Sequence, residues 1–74
     1  MFQVGVLLHQ AKSGRLIVRL SAEVRPGVTI LDEKRRKLGR VVELIGPVRA
    51  PYASVAVVPG AKVGRPGDAA FVER

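Results

Sequence analysis

Seventy-four residues with thirteen Lys and Arg against six Asp and Glu make one small domain of net charge +7. A chain this short buries only about 60–65% of its unfolded surface, which leaves a marginal core and no room for a deep catalytic cavity. The absence of cysteine excludes disulfides and thiolate metal sites, no apolar run reaches the ~18–20 residues of a membrane helix, and 47% hydrophobic with 26% charged residues excludes a disordered chain.

The opening residues, Met1-Phe2-Gln3-Val4, carry no positive n-region. They do not read as a signal peptide, and a soluble cytoplasmic protein is the expectation. From Phe2 to Leu8 the chain alternates, with Phe2, Val4, Val6 and Leu8 on one face and Gln3, Gly5, Leu7 and His9 on the other. That is strand periodicity. After a polar link, Gln10 to Gly14, a second strand puts Leu16, Val18 and Leu20 inward and Arg15 and Arg19 outward. The short link predicts that these two strands pair antiparallel.

Pro26-Gly27 marks a turn, and the β-branched run Val28-Thr29-Ile30-Leu31 a third strand. The charge run that follows, Asp32 to Lys37, contains no apolar residue. Its plainer reading is a solvated hairpin tip. The sharper reading is a loop in which Lys34, Arg35, Arg36 and Lys37 meet nucleic-acid phosphates. A helix through Leu31, Leu38, Val41, Val42 and Ile45 fits the spacing loosely, but Gly39 and the Val41-Val42 pair favour a strand.

The segment from Leu38 to Tyr52 begins as an apolar strand and then meets Gly46-Pro47 and Pro51 before the sole tyrosine. Gly-Pro forces a bend, while Leu44, Ile45 and Val48 keep that bend apolar. An apolar bend tipped by Pro and Tyr is a candidate partner-binding site. Beyond it, Ala53 to Val58 reads as a strand buried on two sides, or on one side beneath a partner. Pro59-Gly60 and Pro66-Gly67 are further turns, and Asp68 to Glu73 is a last short strand. The sum is an all-β domain of six short strands. So few strands avoid exposed edges by closing on themselves, which predicts a small antiparallel barrel.

Catalytic and metal chemistry find little support. His9 is the only histidine, so no His-paired metal site forms within the chain. Ser13 and Asp32 match no nucleophile-elbow spacing relative to it. The six carboxylates show no glycosidase-like pairing, and the glycines form neither a P-loop nor a dinucleotide fingerprint. A non-enzymatic protein without cofactors is the expectation. Strong basicity points to a polyanionic neighbour, most often nucleic acid. Three aromatic residues, Phe2, Tyr52 and Phe71, are too few for a base-stacking platform.

The residues Gly39-x-Val41-x-Glu43-Leu44-Ile45-Gly46-Pro47-Val48-x-x-Pro51-Tyr52, preceded by Leu8-His9 and Leu16-Ile17-Val18-Arg19, carry a resemblance. They are similar to the archaeal small core subunit of box H/ACA ribonucleoproteins, counterpart of the GAR-type nucleolar protein. The similarity runs from about Gly5 to Val72, and Gly-Pro-Val-x-x-Pro-Tyr is its most specific part. The glycine/arginine-rich tails are missing, as in archaeal members, and Ile45 stands where the family often has an aromatic residue.

This resemblance implies a six-stranded barrel similar to the second domain of elongation factors. It further implies a non-catalytic role: binding the pseudouridine synthase catalytic subunit, steering its thumb loop, and aiding substrate RNA loading and product release in rRNA modification. Contact with the H/ACA guide RNA is then indirect or weak. Leu44, Ile45, Gly46, Pro47, Val48, Pro51 and Tyr52 match the motif and are the implied partner surface. The alternative is a small-barrel RNA-binding module, or a ribosome-maturation domain of the PRC-barrel type, whose Leu-Gly-x-Val strand start is also present.

Overall fold

The computed structural model describes residues 1–46, 49 and 51–73. Alternating apolar positions and Pro-Gly breaks resolve into six strands: β1 (Phe2–Gln10), β2 (Leu16–Leu20), β3 (Thr29–Leu31), β4 (Lys37–Ile45), β5 (Tyr52–Val57) and β6 (Ala69–Val72). They close into an antiparallel barrel in the order β1-β2-β5-β4-β3-β6. Among the described residues there is no helix, so the region from Leu31 to Ile45 is strand and hairpin, as the Gly39 and Val41-Val42 signals favoured.

Each Pro-Gly pair closes a tight turn. Val28, Ala61 and Asp68 donate their N–H to the carbonyls of Arg25, Val58 and Arg65, three residues back. The second central residue of each turn is Gly27, Gly60 or Gly67, with φ between +80° and +95°. Pro followed by Gly at those positions satisfies a type II turn.

The barrel interior holds Val4, Leu7, Leu16, Val18, Ile30, Leu38, Val41, Ala53, Val55 and Ala70, all at most 2% exposed. On β2 the inward set is the predicted one. On β1 it is not: Val4 and Leu7 point inward, whereas Val6 and Leu8 are only half-buried and Phe2 is exposed. A bulge at Val4 explains the change of parity, and a second follows at Leu8. Pairing with β6 slips by one residue between Gln3 and Gly5, and pairing with β2 slips between Leu7 and His9. A bulge inserts one residue against none on the partner and turns the following side chains over. Closing six strands demands strong coiling, and bulges supply it.

β4 carries the same device twice, slipping against β3 near Leu38 and against β5 near Val42. Between the two, Gly39 sits where β4 presses on β5. A Cβ there would collide with the Ala56 carbonyl and lie 2.8 Å from a Val55 methyl. On β5, Ala53, Ser54 and Val55 are all buried while Ala56 is exposed, so the two-sided burial read from the sequence holds for the first half of that strand.

Candidate functional site

Antiparallel order assigns the loops to two ends. The β1–β2, β3–β4 and β5–β6 connections share one end; the β2–β3 and β4–β5 connections and the start of β1 share the other. Their chemistry differs.

The second end is apolar. β4 leaves the barrel with Val42, Leu44 and Ile45 each 42–44% exposed. Val42 is the bulged residue, and past it Leu44 takes the face of the buried Ala53 while Ile45 takes the outer face. Leu44 lies opposite Ala53, and Ile45 opposite Tyr52. Tyr52 is also opposite Arg19, so Arg19, Tyr52 and Ile45 form one row across three strands on a shared outer face. Tyr52 and Pro51 are half-buried.

The β2–β3 connection crosses this same end. Its Val24 is 5% exposed and plugs the barrel, and the connection is pinned by Ser21 N–H to the Val4 carbonyl at 2.7 Å and Gly27 N–H to that of Val41 at 2.7 Å. The β4–β5 tip is tied down where Leu20 N–H donates to the Pro51 carbonyl at 3.1 Å. Between crossover and tip lies a groove of about 550 Å³ walled by Leu20, Val24, Pro26, Leu44 and Pro51, with Glu23, Arg25 and Arg49 lining it as well.

The sequence-predicted partner residues Leu44, Ile45, Gly46, Pro51 and Tyr52 therefore come together at one end. Pro47 and Val48, predicted with them, lie outside the described residues. The opposite groove wall, Leu20 to Pro26, was missed apart from its Pro-Gly turn. Its signal was faint: a lone Val24 within an otherwise polar connection.

The first end is basic. Its loops and their margins carry Lys12, Arg15, Lys34, Arg35, Arg36, Lys37, Lys62 and Arg65, eight of the thirteen Lys and Arg, against Asp32, Glu33 and Asp68. The charge run is a hairpin tip, as its plainer reading had it. Asp32 N–H donates to the Arg36 carbonyl and Arg35 N–H to that of Asp32, both at 3.0 Å. Asp32 organises the rest. Its carboxylate accepts the Lys34 and Arg36 amides and the Arg36 Nε, each at 2.8 Å. Burial pushes this carboxyl up, but the Arg36 amide, the Arg36 guanidinium and the Lys34 amide together hold it below its ordinary value.

Arg35 takes φ +63°, the left-handed region. Its only ion pair among the described residues is a loose 3.9 Å contact with Glu73, both side chains being mostly exposed. Asp68 serves the β5–β6 loop as Asp32 serves its own, accepting the Arg65 amide at 2.8 Å. That loop crosses the barrel end and is stitched down by Val58 N–H to the Leu38 carbonyl at 3.0 Å and Gly67 N–H to that of Leu7 at 2.7 Å.

Among the described residues no group of three or more His, Asp or Glu is placed to hold a metal ion.

Fold and surfaces together define a class: a small closed antiparallel barrel with one apolar and one basic end. No protein-family model matches the chain. It is similar to an uncharacterized protein of Methanocaldococcus jannaschii, 37% identical over 49 residues, which are 66% of this chain and 59% of that relative. It is also similar to an uncharacterized protein of Methanothermobacter thermautotrophicus, 28% identical over 73 residues, 93% of this chain and 79% of the relative. Both relatives are archaeal. The chain spans less than two thirds of the length of the first.

Proposed function

We propose that the protein is a non-catalytic subunit of an RNA-guided pseudouridine synthase, docking on the catalytic subunit through its apolar end. The observation that carries this reading is the exposure of Val42, Leu44 and Ile45, with Leu44 also lining the Leu20–Pro51 groove. A 74-residue chain that leaves three large aliphatic side chains nearly half-exposed at one end forgoes burial it needs for its own core. Large exposed aliphatic side chains on one strand are a mark of a protein interface, and Tyr52, opposite Ile45, is of a residue type enriched as an anchor. The motif from Gly39 to Tyr52 and the six-stranded barrel add the resemblance to the H/ACA small subunit.

In this role the protein contributes no reacting group. Its contacts differ between two positions of a mobile loop on the enzyme and so shift that loop's population, favouring the form that loads substrate RNA or the one that releases product. Archaeal relatives are in keeping with the archaeal branch of that family.

The test is calorimetric titration into a purified catalytic subunit of such an enzyme, with no RNA present, beside Leu44→Ser with Tyr52→Ala. Wild type should bind tightly, and the double variant should lose more than ~2 kcal/mol, about 30-fold in Kd. Absence of binding by a folded wild-type protein sinks the subunit reading. A small-barrel RNA-binding module then takes its place.

A further inference from the structure

Topology gathers at the basic end what the sequence scatters. Lys12, Lys34, Lys37, Lys62 and Arg65 come from three loops and their margins, the first and the last being 53 positions apart. Lys37 and Lys62, with Arg36, wall one groove of about 340 Å³. Of the acids here, Asp32 and Asp68 are turned inward on their own loops, Asp32 capping the Lys34 and Arg36 amides and Asp68 the Arg65 amide, while Glu73, just past β6, reaches Arg35 at 3.9 Å. The carboxylates thus hold the loops in shape while the ammonium groups face outward. Among the described residues Lys34, Lys37 and Lys62 form no ion pair, and all three are exposed.

Arg35 adds a second observation. At φ +63° an L-residue with a side chain costs about 1–2 kcal/mol relative to glycine. The tip carries a cation at a position where glycine or asparagine would be less strained, and backbone strain retained in this way points to function. The stitched β5–β6 crossover, meanwhile, fixes the surface beforehand.

We infer that this end binds the phosphodiester backbone of a nucleic-acid duplex without reading its sequence. The ammonium groups of Lys34, Lys37 and Lys62 are point charges suited to phosphate, and the guanidinium of Arg36, a group able to read a base edge, is held by Asp32. Of the three aromatic residues, Phe2 and Tyr52 lie toward the apolar end and Phe71 lies within β6, paired with Leu31. With one half-buried ring, Phe71, at its margin and no platform for successive unpaired bases, this end suits a duplex backbone better than a single strand. The surface is distinct from the apolar end, so a duplex and a protein partner bind together, and the inference stands whether or not the partner is a pseudouridine synthase.

The experiment is fluorescence anisotropy of the whole protein with a labelled 16-base-pair RNA duplex, a second duplex of unrelated sequence, a DNA duplex and a 16-mer oligouridine, from 50 to 200 mM salt. Four phosphate contacts, from Lys34, Arg35, Lys37 and Lys62, predict a slope of log K on log salt near −3.6, about a 150-fold loss over that range. Lys34→Gln with Lys37→Gln and Lys62→Gln should bring the slope to about −1, with an unchanged circular dichroism spectrum and melt. Arg25→Gln, on the β2–β3 loop at the far end, should leave it unaltered. The three duplexes should agree within about threefold, and oligouridine should bind more weakly. An unchanged slope in the triple variant, an equal fall for Arg25→Gln, or tighter binding of oligouridine would each overturn the inference. Partner titration without RNA reads the other end, so the two proposals fail separately.

Discussion

Arg35 sets stability against charge at a single residue, and its replacement by glycine separates them. The left-handed φ of +63° costs an arginine about 1–2 kcal/mol. Glycine removes that cost but returns about 0.5–1 kcal/mol through the greater freedom of its unfolded chain. The 3.9 Å contact with Glu73 is lost as well; with side chains 65% and 59% exposed it contributes at most a few tenths of a kcal/mol. The balance is a gain of roughly 0.5 kcal/mol, or about 2–4 °C in Tm for a domain of this size. Arg35→Val tests the opposite sign, because a β-branched residue is the worst fit to this region; it should melt about 4–8 °C lower than wild type. Differential scanning calorimetry at pH 7 reads all three proteins. The same Arg35→Gly protein should bind duplex RNA more weakly, with the salt slope reduced by about 0.9. If glycine lowers Tm while valine leaves it unchanged, Arg35 is not in the left-handed region and the strain argument fails.

The remaining expectations concern the core, the hairpin tip and the apolar end. Gly39→Ala drives a methyl into the Ala56 carbonyl and should cost about 2–3 kcal/mol, a fall of about 10–20 °C in Tm; a melt within 2 °C of wild type would contradict the close approach of β4 and β5. Asp32→Ala should lose about 1 kcal/mol at pH 7 through its unmade bonds to the Lys34 and Arg36 amides. Because the folded pKa of Asp32 lies below its ordinary 3.8, its stabilisation is complete above that value and is lost as pH falls through the folded one. The Lys34 and Arg36 amide resonances should report this as a shared titration with a midpoint below 3.8, absent in Asp32→Asn. Leu44→Ser, at 42% exposure, should change Tm by no more than a few degrees while weakening any partner contact at the groove; a large stability loss would make Leu44 a core residue.

The six strands were legible because punctuation and period agree. Pro26-Gly27, Pro59-Gly60 and Pro66-Gly67 are each a type II turn, and Leu16, Val18 and Leu20 alternate without interruption. The facing of β1 was not legible. Val4 and Leu8, the residues that its bulges insert, are ordinary strand formers, and the slips arise from closing the barrel against β6 and β2 at once. The bulge of β4 at Val42 was no more legible, since Val41-Val42 reads as ordinary strand. Leu44, Ile45, Pro51 and Tyr52 lie at one end because β4 and β5 pair across the bend, with Ile45 opposite Tyr52. The Leu20–Pro26 wall and the contribution of Lys62 to the basic end depend on the β2–β3 and β5–β6 crossovers, which only the strand order reveals.

The separation of the two ends follows from one strand. The charge run and the apolar bend are neighbours in sequence, divided only by β4, Lys37–Ile45. At about 3.3 Å per residue nine residues span about 25–30 Å, close to the full 31 Å length of the molecule. Had that stretch been a helix, the same residues would span only about 13 Å, and cations and aliphatic groups would share one surface. As a strand that crosses the whole barrel, β4 delivers Lys34 to Lys37 to one end and Leu44 and Ile45 to the other. A partner protein seated on Leu44 and Tyr52 then leaves the cations about 25 Å away, more than two Debye lengths at physiological salt. The charges of Lys34 to Lys37 are therefore felt weakly at the apolar end, whose own cations are Arg19, Arg25 and Arg49, and strongly by whatever approaches the opposite end.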